Sequence, residues 1–185
     1  MEHFPERQAE AKAYAELLKG AGIERGLIGP READRIWERH ILNCIPVSTL
    51  MAKGAKVLDI GSGAGLPGVV IALARPDLQV TLLEPLQRRV DFLNEVVATL
   101  KVPNLLVRRG KAERENGQYD YVTARAVAPL AKLWDISKHL IKPGGSLLAM
   151  KGEAAEREVA EVPGAKLHEI TLEGLPLARV VEVRR

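Results

Sequence analysis

Residues 57–68 read Val-Leu-Asp-Ile-Gly-Ser-Gly-Ala-Gly-Leu-Pro-Gly, and this stretch decides the fold. A short apolar run leads into three alternating glycines, Gly61, Gly63 and Gly65, and a second apolar run follows at residues 69–74. Glycine is needed where the backbone turns with positive φ or approaches a ligand too closely for a Cβ atom. A strand, a glycine loop and a helix start in this order are typical of a cradle for a nucleoside-containing cofactor.

Two cofactors compete for this loop. The dinucleotide pattern G-x-G-x-x-G is satisfied by Gly63, Gly65 and Gly68, and Glu84 lies about 20 residues further on, where a ribose-binding acid is expected. In contrast, Asp59 completes the order D-x-G-x-G-x-G of S-adenosylmethionine (SAM) methyltransferases, in which an acidic group can meet the methionine ammonium. The acid before the loop favours SAM, and a nicotinamide cofactor stays the alternative.

The rest of the chain favours a methyltransferase with one domain. A helical leader is predicted at residues 1–54, and the core at residues 55–185 is too short to add a second catalytic domain of typical size. Two β-like runs, 165–172 and 178–184, are close enough in sequence to form an antiparallel pair, as in methyltransferase sheets. We therefore predict a single domain spanning residues 1–185.

Strand and helix patterns alternate along the core, which predicts a parallel sheet covered on both faces. Strands are predicted at residues 56–60, 79–84, 105–109, 119–124 and 146–151, with a Pro-Gly-Gly turn at 143–145 before the last. Helices are predicted at residues 5–19, from 30 onward, and at 67–74, 85–100 and 128–140. The predicted fold class is α/β, a Rossmann-like, doubly wound, mostly parallel seven-stranded sheet with an antiparallel C-terminal strand and an N-terminal helical extension.

Composition narrows the class of protein further. The chain has 185 residues, of which 46% are hydrophobic, enough for a core. Twenty-seven Lys and Arg against 24 Asp and Glu give a net charge of +3, which is compatible with a nucleic-acid partner. The single cysteine, Cys44, excludes an internal disulfide, and no metal site is predicted. No secretion signal or membrane-length apolar run occurs, which predicts a cytoplasmic protein without a membrane partner.

Ligands of a doubly wound sheet bind at the carboxyl ends of its strands. Glu84 ends the second predicted strand, where its two oxygens can accept both ribose hydroxyls; a charge at a helix N-terminus is the alternative. After the third strand come Ala112 and Glu113, where a backbone N–H and a carboxylate can bond the adenine edge. A plain surface loop is an equally good interpretation of Glu113 from spacing alone.

Arg125 directly follows the fourth predicted strand, where methyltransferases place the group nearest the transferred methyl. Its fork of donors can hold the SAM carboxylate, a phosphate or an acceptor carbonyl, and a structural ion pair is the alternative. The acidic or amide residue followed by Pro-Pro and an aromatic that often serves exocyclic amines is missing here, and Cys44 is expected to be a core residue rather than a nucleophile. A ring nitrogen with a free lone pair needs neither group, only alignment and electrostatic support.

Charged residues outside this set have weaker signals. His40 is assigned at most a supporting role, because a lone helical histidine is more often a packing or capping residue. Eight basic residues are candidates for a phosphate-contacting surface, although scattered charges are usually only solvated. They are Arg31, Arg35, Arg39, Arg88, Arg89, Arg108, Arg109 and Lys111.

Several segments together resemble the RsmG (GidB) family of small-subunit ribosomal RNA methyltransferases. They are Trp37-Glu38-Arg39-His40-Ile41-Leu42-Asn43-Cys44, the glycine segment with its Leu66-Pro67-Gly68 ending, Arg88-Arg89-Val90-Asp91-Phe92-Leu93, Ala124-Arg125-Ala126 with Ala128-Pro129-Leu130, and Lys151-Gly152. The family's common Tyr-Asn-Leu-Thr element is absent, and residues 25–30 stand near its place, as in the actinobacterial branch. The resemblance covers the whole chain.

The resemblance implies transfer of a methyl group from SAM to N7 of one guanosine in the 530 loop of 16S ribosomal RNA. It also implies that Gly61, Leu66, Ala112, Glu113 and Arg125 line the cofactor pocket. The expected partner is 16S RNA, the 30S subunit or an assembly intermediate, with no DNA and with the protein as a monomer. A small-molecule methyltransferase and a non-catalytic ribosome-assembly factor that binds RNA are the alternatives.

Overall fold

The computed structural model describes residues 3–185, so the first two residues of the predicted leader lie outside the described part. The α-helices are α1 (Gln8–Leu17), α2 (Gly68–Ala74), α3 (Gln87–Leu100), α4 (Leu130–Ser137) and α5 (Ala155–Glu161). The strands are β1 (Lys56–Ile60), β2 (Gln79–Glu84), β3 (Leu105–Arg109), β4 (Tyr119–Arg125), β5 (Ile141–Lys151), β6 (Ala165–Ile170) and β7 (Ala178–Arg184). None of the helices in the described part is long and apolar enough to cross a membrane.

The seven strands form one sheet in the order β3-β2-β1-β4-β5-β7-β6. All pairs from β3 to β5 are parallel, whereas β7 runs antiparallel to both of its neighbours. The predicted fold class is therefore confirmed, including the antiparallel C-terminal strand. Because β1 to β5 are parallel, their carboxyl ends lie at one edge of the sheet, where this fold binds its ligands.

The leader differs from the predicted second helix. Instead of one α-helix from Pro30, it forms short 3₁₀ and π turns at Pro30–Arg35, Ile36–Ile41, Leu42–Cys44 and Pro46–Leu50. A further π turn, Leu18–Gly22, directly follows α1. Pro46 has no N–H to continue a helix, and it begins a new turn. Ile36, Ile41 and Cys44 are nonetheless fully buried. Burial of these side chains thus takes precedence over regular helical geometry.

The start of β5 is a second departure from the prediction. Residues 143–145 were expected to form a turn, but the strand begins at Ile141 and includes them. The reason is a pair of backbone hydrogen bonds at the C-terminus, from Gly144 N–H to Arg185 O and from Arg185 N–H to Gly145 O, both 3.0 Å long. The last residue of the chain therefore supplies the pairing that keeps the Pro-Gly-Gly segment in the sheet.

Two apolar clusters cover the two faces of the sheet. On one face the leader and α1 to α3 pack together in a core that contains Tyr14, Ile41 and Phe92. On the other face α4 and α5 pack over Leu58 and Val122. Since leader residues share a core with the sheet, the leader can hold side chains directly against the carboxyl edge. The division at residues 54 and 55 remains a prediction.

Candidate active site

The glycine loop after β1 combines a left-handed backbone with open space. Gly61, Gly63 and Gly65 have φ values of +63°, +58° and +96°, a region that favours glycine. A Cβ atom on Gly65 would lie 2.6 Å from Val69 Cγ2 and 3.0 Å from the Tyr14 hydroxyl, so this glycine is required for packing. A Cβ atom on Gly63 would meet only Gly61 O, at 3.9 Å. The protein itself therefore leaves the space beside Gly63 empty.

Tyr14 of α1 holds the glycine loop from the side of the protein interior. Its buried hydroxyl donates a 2.7 Å hydrogen bond to the carbonyl of Ala64. Burial raises the pKa of Tyr14 well above its usual value, so the side chain stays a neutral donor. The leader therefore positions the cofactor loop, which the sequence patterns alone did not indicate.

Asp59 lies under the loop rather than on the wall of the recess. Its side chain is fully buried, Oδ2 accepts a 3.0 Å hydrogen bond from Gly68 N–H, and Oδ1 has no partner among the described residues. Burial raises the pKa of Asp59 to about 7. The predicted contact with the methionine ammonium stays a prediction, whereas the position of Asp59 favours support of the start of α2.

Asp59→Asn is expected to stabilise the protein increasingly as the pH rises. Folding raises the pKa of the Asp59 carboxyl from 3.8 to about 7. Between these two pH values the unfolded chain has released this proton while the folded protein still holds it, so the wild type loses stability as the pH rises. The amide keeps an acceptor for Gly68 N–H without a charge, so the melting temperature of the variant should exceed that of the wild type by a few degrees above pH 7 and by less near pH 5. Thermal melts across this range test this, and a pH-independent difference would contradict it. If the folded variant no longer binds SAM, a direct contact between Asp59 and the methionine ammonium becomes the better explanation.

A recess of about 610 Å³ opens between the glycine loop, the end of β2 and the leader, a volume usual for small-molecule sites. Glu84, only 1% exposed, lies on its wall. Its Oε2 accepts a 2.9 Å hydrogen bond from Gly63 N–H, and its Oε1 accepts a 3.0 Å bond from Leu86 N–H. Each carboxylate oxygen has a second lone pair free, so Glu84 can still accept from vicinal hydroxyls.

A smaller recess of about 240 Å³ adjoins the first. Ala112 and Glu113 line it, and Gly61, Pro85 and Val127 belong to both recesses. Val127 is 42% exposed and Leu86, on the wall of the first recess, is 47% exposed. Leu86 immediately precedes α3 and faces this edge. Apolar side chains left open beside the Glu84 carboxylate offer a surface on which a purine ring can pack.

Arg125 ends β4 on the far wall of the larger recess. Its Nη2 lies 3.2 Å from Nδ1 of His40, whose Nε2 lies 2.9 Å from Glu32 Oε2. An arginine can only donate, so His40 accepts at Nδ1 and donates from Nε2 to Glu32. Burial lowers the pKa of His40, which keeps the ring neutral near pH 7. Two leader residues therefore orient Arg125.

Cys44 is buried next to Arg125, with Sγ 3.9 Å from Nη1. Burial raises the pKa of its thiol to about 11, which disfavours the thiolate that a nucleophile requires. Cys44 is thus a core residue, as the sequence predicts.

The sheet edge brings together most of the predicted site residues. Gly61, Gly63, Leu66, Glu84 and Arg125 line the larger recess, and Ala112 and Glu113 line the adjoining one. Asp59 and Gly65 face the protein interior. The recess also contains four leader residues: His40, which was assigned at most a supporting role, and Leu27, Ile28 and Gly29, which the sequence did not assign to the site. Of these, only His40 carried a signal, through its place in the family-like segment.

The eight basic candidates do not all share one surface. Arg89 lines the larger recess, and Arg109 and Lys111 line a cleft beside Pro85 at the same edge. Arg108, next to the end of β3, instead lines a cleft with residues 76–81, and its charge is paired with Glu115 at 2.7 Å. Arg89, Arg109 and Lys111 therefore place positive charge in and beside the larger recess at the carboxyl edge.

Comparison with solved structures gives the class of protein that this sheet and loop define. Precorrin-6y C5,15-methyltransferase from Geobacter metallireducens superposes with a TM-score of 0.57 at 12% identity, covering 86% of this chain and 91% of that one. At this identity the likeness shows the fold alone. The fold is that of Rossmann-like SAM-dependent methyltransferases.

Sequence relatives identify the family. The chain is 54% identical to ribosomal RNA small subunit methyltransferase G of Thermobifida fusca, over 98% of this chain and 76% of that protein. It is 52% identical to the protein of the same name from Streptomyces coelicolor, over 88% and 69%. Residues 7–176 match the GidB family, described as rRNA small subunit methyltransferase G. The chain belongs to this family, the resemblance found in the sequence is confirmed, and the cofactor is SAM rather than a nicotinamide.

The residues present fit SAM. The open space at Gly63 admits a ligand against the backbone, Glu84 offers a fixed acceptor for ribose hydroxyls, and Arg125 offers a cation at the far wall. When bound, SAM supplies an electrophilic sulfonium methyl group. The direct contacts of individual residues with SAM are proposals.

Proposed function

We propose that this protein transfers the methyl group of SAM to N7 of a guanosine in the 530 loop of 16S ribosomal RNA. Family membership supports ribosomal RNA as the substrate. Residues 1–185 act as a single domain and a monomer, the acceptor is RNA rather than DNA, and the leader contributes to the site. Arg125 is the proposed catalytic residue, and Gly61, Gly63, Leu66, Glu84, Ala112, Glu113 and Arg125 are the proposed cofactor contacts. Asp59 and Gly65 belong to the proposed cofactor-binding set through the loop that they hold from the interior side.

We choose N7 as the acceptor atom because the described residues around the recess beside Arg125 offer no general base. A third recess borders Arg125, and its lining residues within the described part of the chain contain no carboxylate and no histidine. Nearby His40 has both ring nitrogens engaged, by Arg125 and Glu32. A hydroxyl or exocyclic amine must lose a proton during methylation, whereas guanine N7 attacks with a free lone pair. Alignment and electrostatic support by Arg125 are then sufficient.

Labelled SAM offered to ribosomal RNA tests this proposal. The acceptors are 30S subunits and naked 16S RNA from a strain without this enzyme, in parallel reactions. Label on either RNA supports the proposal and shows which form of the acceptor is used. If neither RNA is labelled while calorimetry shows SAM binding, the small-molecule methyltransferase becomes the better account. Failure to bind SAM would favour the non-catalytic assembly factor.

Binding of RNA is expected to weaken steeply with salt. Arg89, Arg109 and Lys111 lie at the carboxyl edge, and each phosphate contact releases condensed counterions. With several contacts, the logarithm of the affinity should fall linearly with the logarithm of the salt concentration, with a slope of about −2 to −4. Filter binding at several salt concentrations measures it. Lys111→Ala should reduce the slope by about one unit, whereas Arg108→Ala should not change it; a flat response would contradict a phosphate-contacting edge.

A further inference from the structure

The recess beyond Arg125 is separate from the cofactor recess but shares part of its wall. It has a volume of about 280 Å³, and both Arg125 and Ala126 line it as well as the larger recess. The ends of β4 and β5, the start of β7 and Asn43 of the leader complete it. A group placed there is divided from the cofactor only by the end of β4, which is the position that an acceptor needs for transfer of a methyl group.

The recess offers an apolar wall for a flat ring. Leu177 lines it and is 46% exposed, one of only four large hydrophobic side chains left open among residues 3–185. Two of the other three, Leu86 and Val127, line the recesses proposed for SAM. Gly152 adds open space, since a Cβ atom there would meet nothing within 4 Å. The volume is at the lower end of ligand sites, which fits one base.

Most polar groups around this recess already have partners. Lys151 Nζ donates to Ala128 O at 2.7 Å and lies 3.0 Å from Glu158 Oε2. Arg179 Nε donates to Glu169 Oε1 at 3.0 Å. These contacts hold the loop after β4 and the β6–β7 pair in place. They shape the recess, but they leave recognition of a base edge to another side chain.

Asn43 is the polar residue that remains free. Its side chain is half-buried and makes no hydrogen bond with any of the described residues. An amide presents one acceptor and one donor side by side. That pair matches N1–H and O6 of guanine, and a base held in this way keeps its N7 lone pair unblocked. The unused capacity of Asn43 therefore points to an acceptor base.

We infer that this recess binds the acceptor guanine and that Asn43 recognises its O6 and N1–H, with Leu177 packing on the ring. The inference rests on the proposed function and adds the residues that select the base. Because an amide can also rotate to suit adenine, the recognition depends on the orientation that the recess imposes on the ring.

The test compares three RNA acceptors that differ only at the target position, which holds guanosine, inosine or adenosine. Inosine keeps O6 and N1–H and lacks the 2-amino group. Methyl transfer is measured for the wild type, Asn43→Ala and Leu177→Ser, with Asn94→Ala as the matched control, because Asn94 is exposed on α3. SAM affinity and melting temperature are measured for every variant, so that misfolding is distinguished from lost recognition.

The wild type should methylate guanosine and inosine alike and adenosine at least about tenfold more slowly. Asn43→Ala should lower kcat/KM for guanosine and inosine about 10- to 100-fold, reduce the preference over adenosine, and leave SAM affinity unchanged. Leu177→Ser should weaken all three reactions. If Asn43→Ala keeps wild-type rates and preference, or if inosine fails as a substrate, the assignment of Asn43 is wrong while the proposed function stands. If the wild type methylates no RNA, both proposals are contradicted.

Discussion

Gly63→Val is expected to abolish SAM binding and to leave the fold intact. In the present backbone a Cβ atom at this position meets only Gly61 O, at 3.9 Å, so the added side chain extends into the recess instead of into the core. Gly63 N–H is also the donor that holds Glu84 Oε2, so a shift of the loop would displace the carboxylate that we propose to bind the ribose. Calorimetry should show at least about a 100-fold loss of SAM affinity, equivalent to about 3 kcal/mol.

Backbone strain needs its own control, because Gly63 has φ = +58° and a β-branched residue is disfavoured there. Gly164 has φ = +80°, and a Cβ atom on it would meet nothing within 4 Å. Gly164→Val therefore imposes comparable strain away from the recess. We expect both variants to lose a similar, small amount of thermal stability, and only Gly63→Val to lose SAM binding. Equal SAM affinity in the two variants would remove the glycine loop from the site.

Arg125→Ala is expected to reduce methyl transfer far more than RNA binding. The guanidinium lies on the wall shared by the cofactor recess and the neighbouring recess, and His40 and Cys44 orient it. Removal of one positioned electrostatic donor typically costs about 10²- to 10³-fold in rate. Loss of a single phosphate contact would weaken RNA binding by much less. Single-turnover methylation and filter binding measure the two effects separately.

Two further variants separate charge from geometry at this position. Arg125→Lys keeps the charge but loses the planar fork, so it should recover little of the lost rate. Arg108→Ala removes one positive charge that lies outside the larger recess and is already paired with Glu115. It should leave the methylation rate unchanged. Near wild-type turnover by Arg125→Ala would show that the assignment at the end of β4 is wrong.

The sheet could be predicted from the sequence because its signals are local. The alternation of apolar runs and helical stripes placed β1, β2 and β3 at their observed bounds. The leader could not be predicted in the same way. Its turns between Pro30 and Leu50 follow the burial of Ile36, Ile41 and Cys44 against the sheet, and a tertiary contact of this kind has no sequence period. The pairing of Arg185 with the Pro-Gly-Gly segment is also non-local.

The residues of the candidate site differ in the same way, since those with a local signal could be predicted and those placed by distant packing could not. Glu84 and Arg125 were predicted because each ends a strand at the carboxyl edge. Asp59 shares a pattern with cofactor-binding acids, but a pattern does not show that the side chain turns inward to Gly68. Tyr14 and Asn43 lie far from the glycine loop in sequence and reach the site only when the leader packs over the sheet. Residues supplied by the leader are therefore those for which a structure is needed.

The most direct test of the account is nucleoside analysis of 16S RNA after reaction with labelled SAM and this protein. The RNA, taken from a strain without this enzyme, is digested and the labelled nucleoside is identified, with its position mapped by fragment analysis. The account predicts 7-methylguanosine at a single position in the 530 loop, and no label when Gly63→Val replaces the wild type. Label on another atom or another nucleoside would contradict the lone-pair mechanism and the acceptor recess built on it.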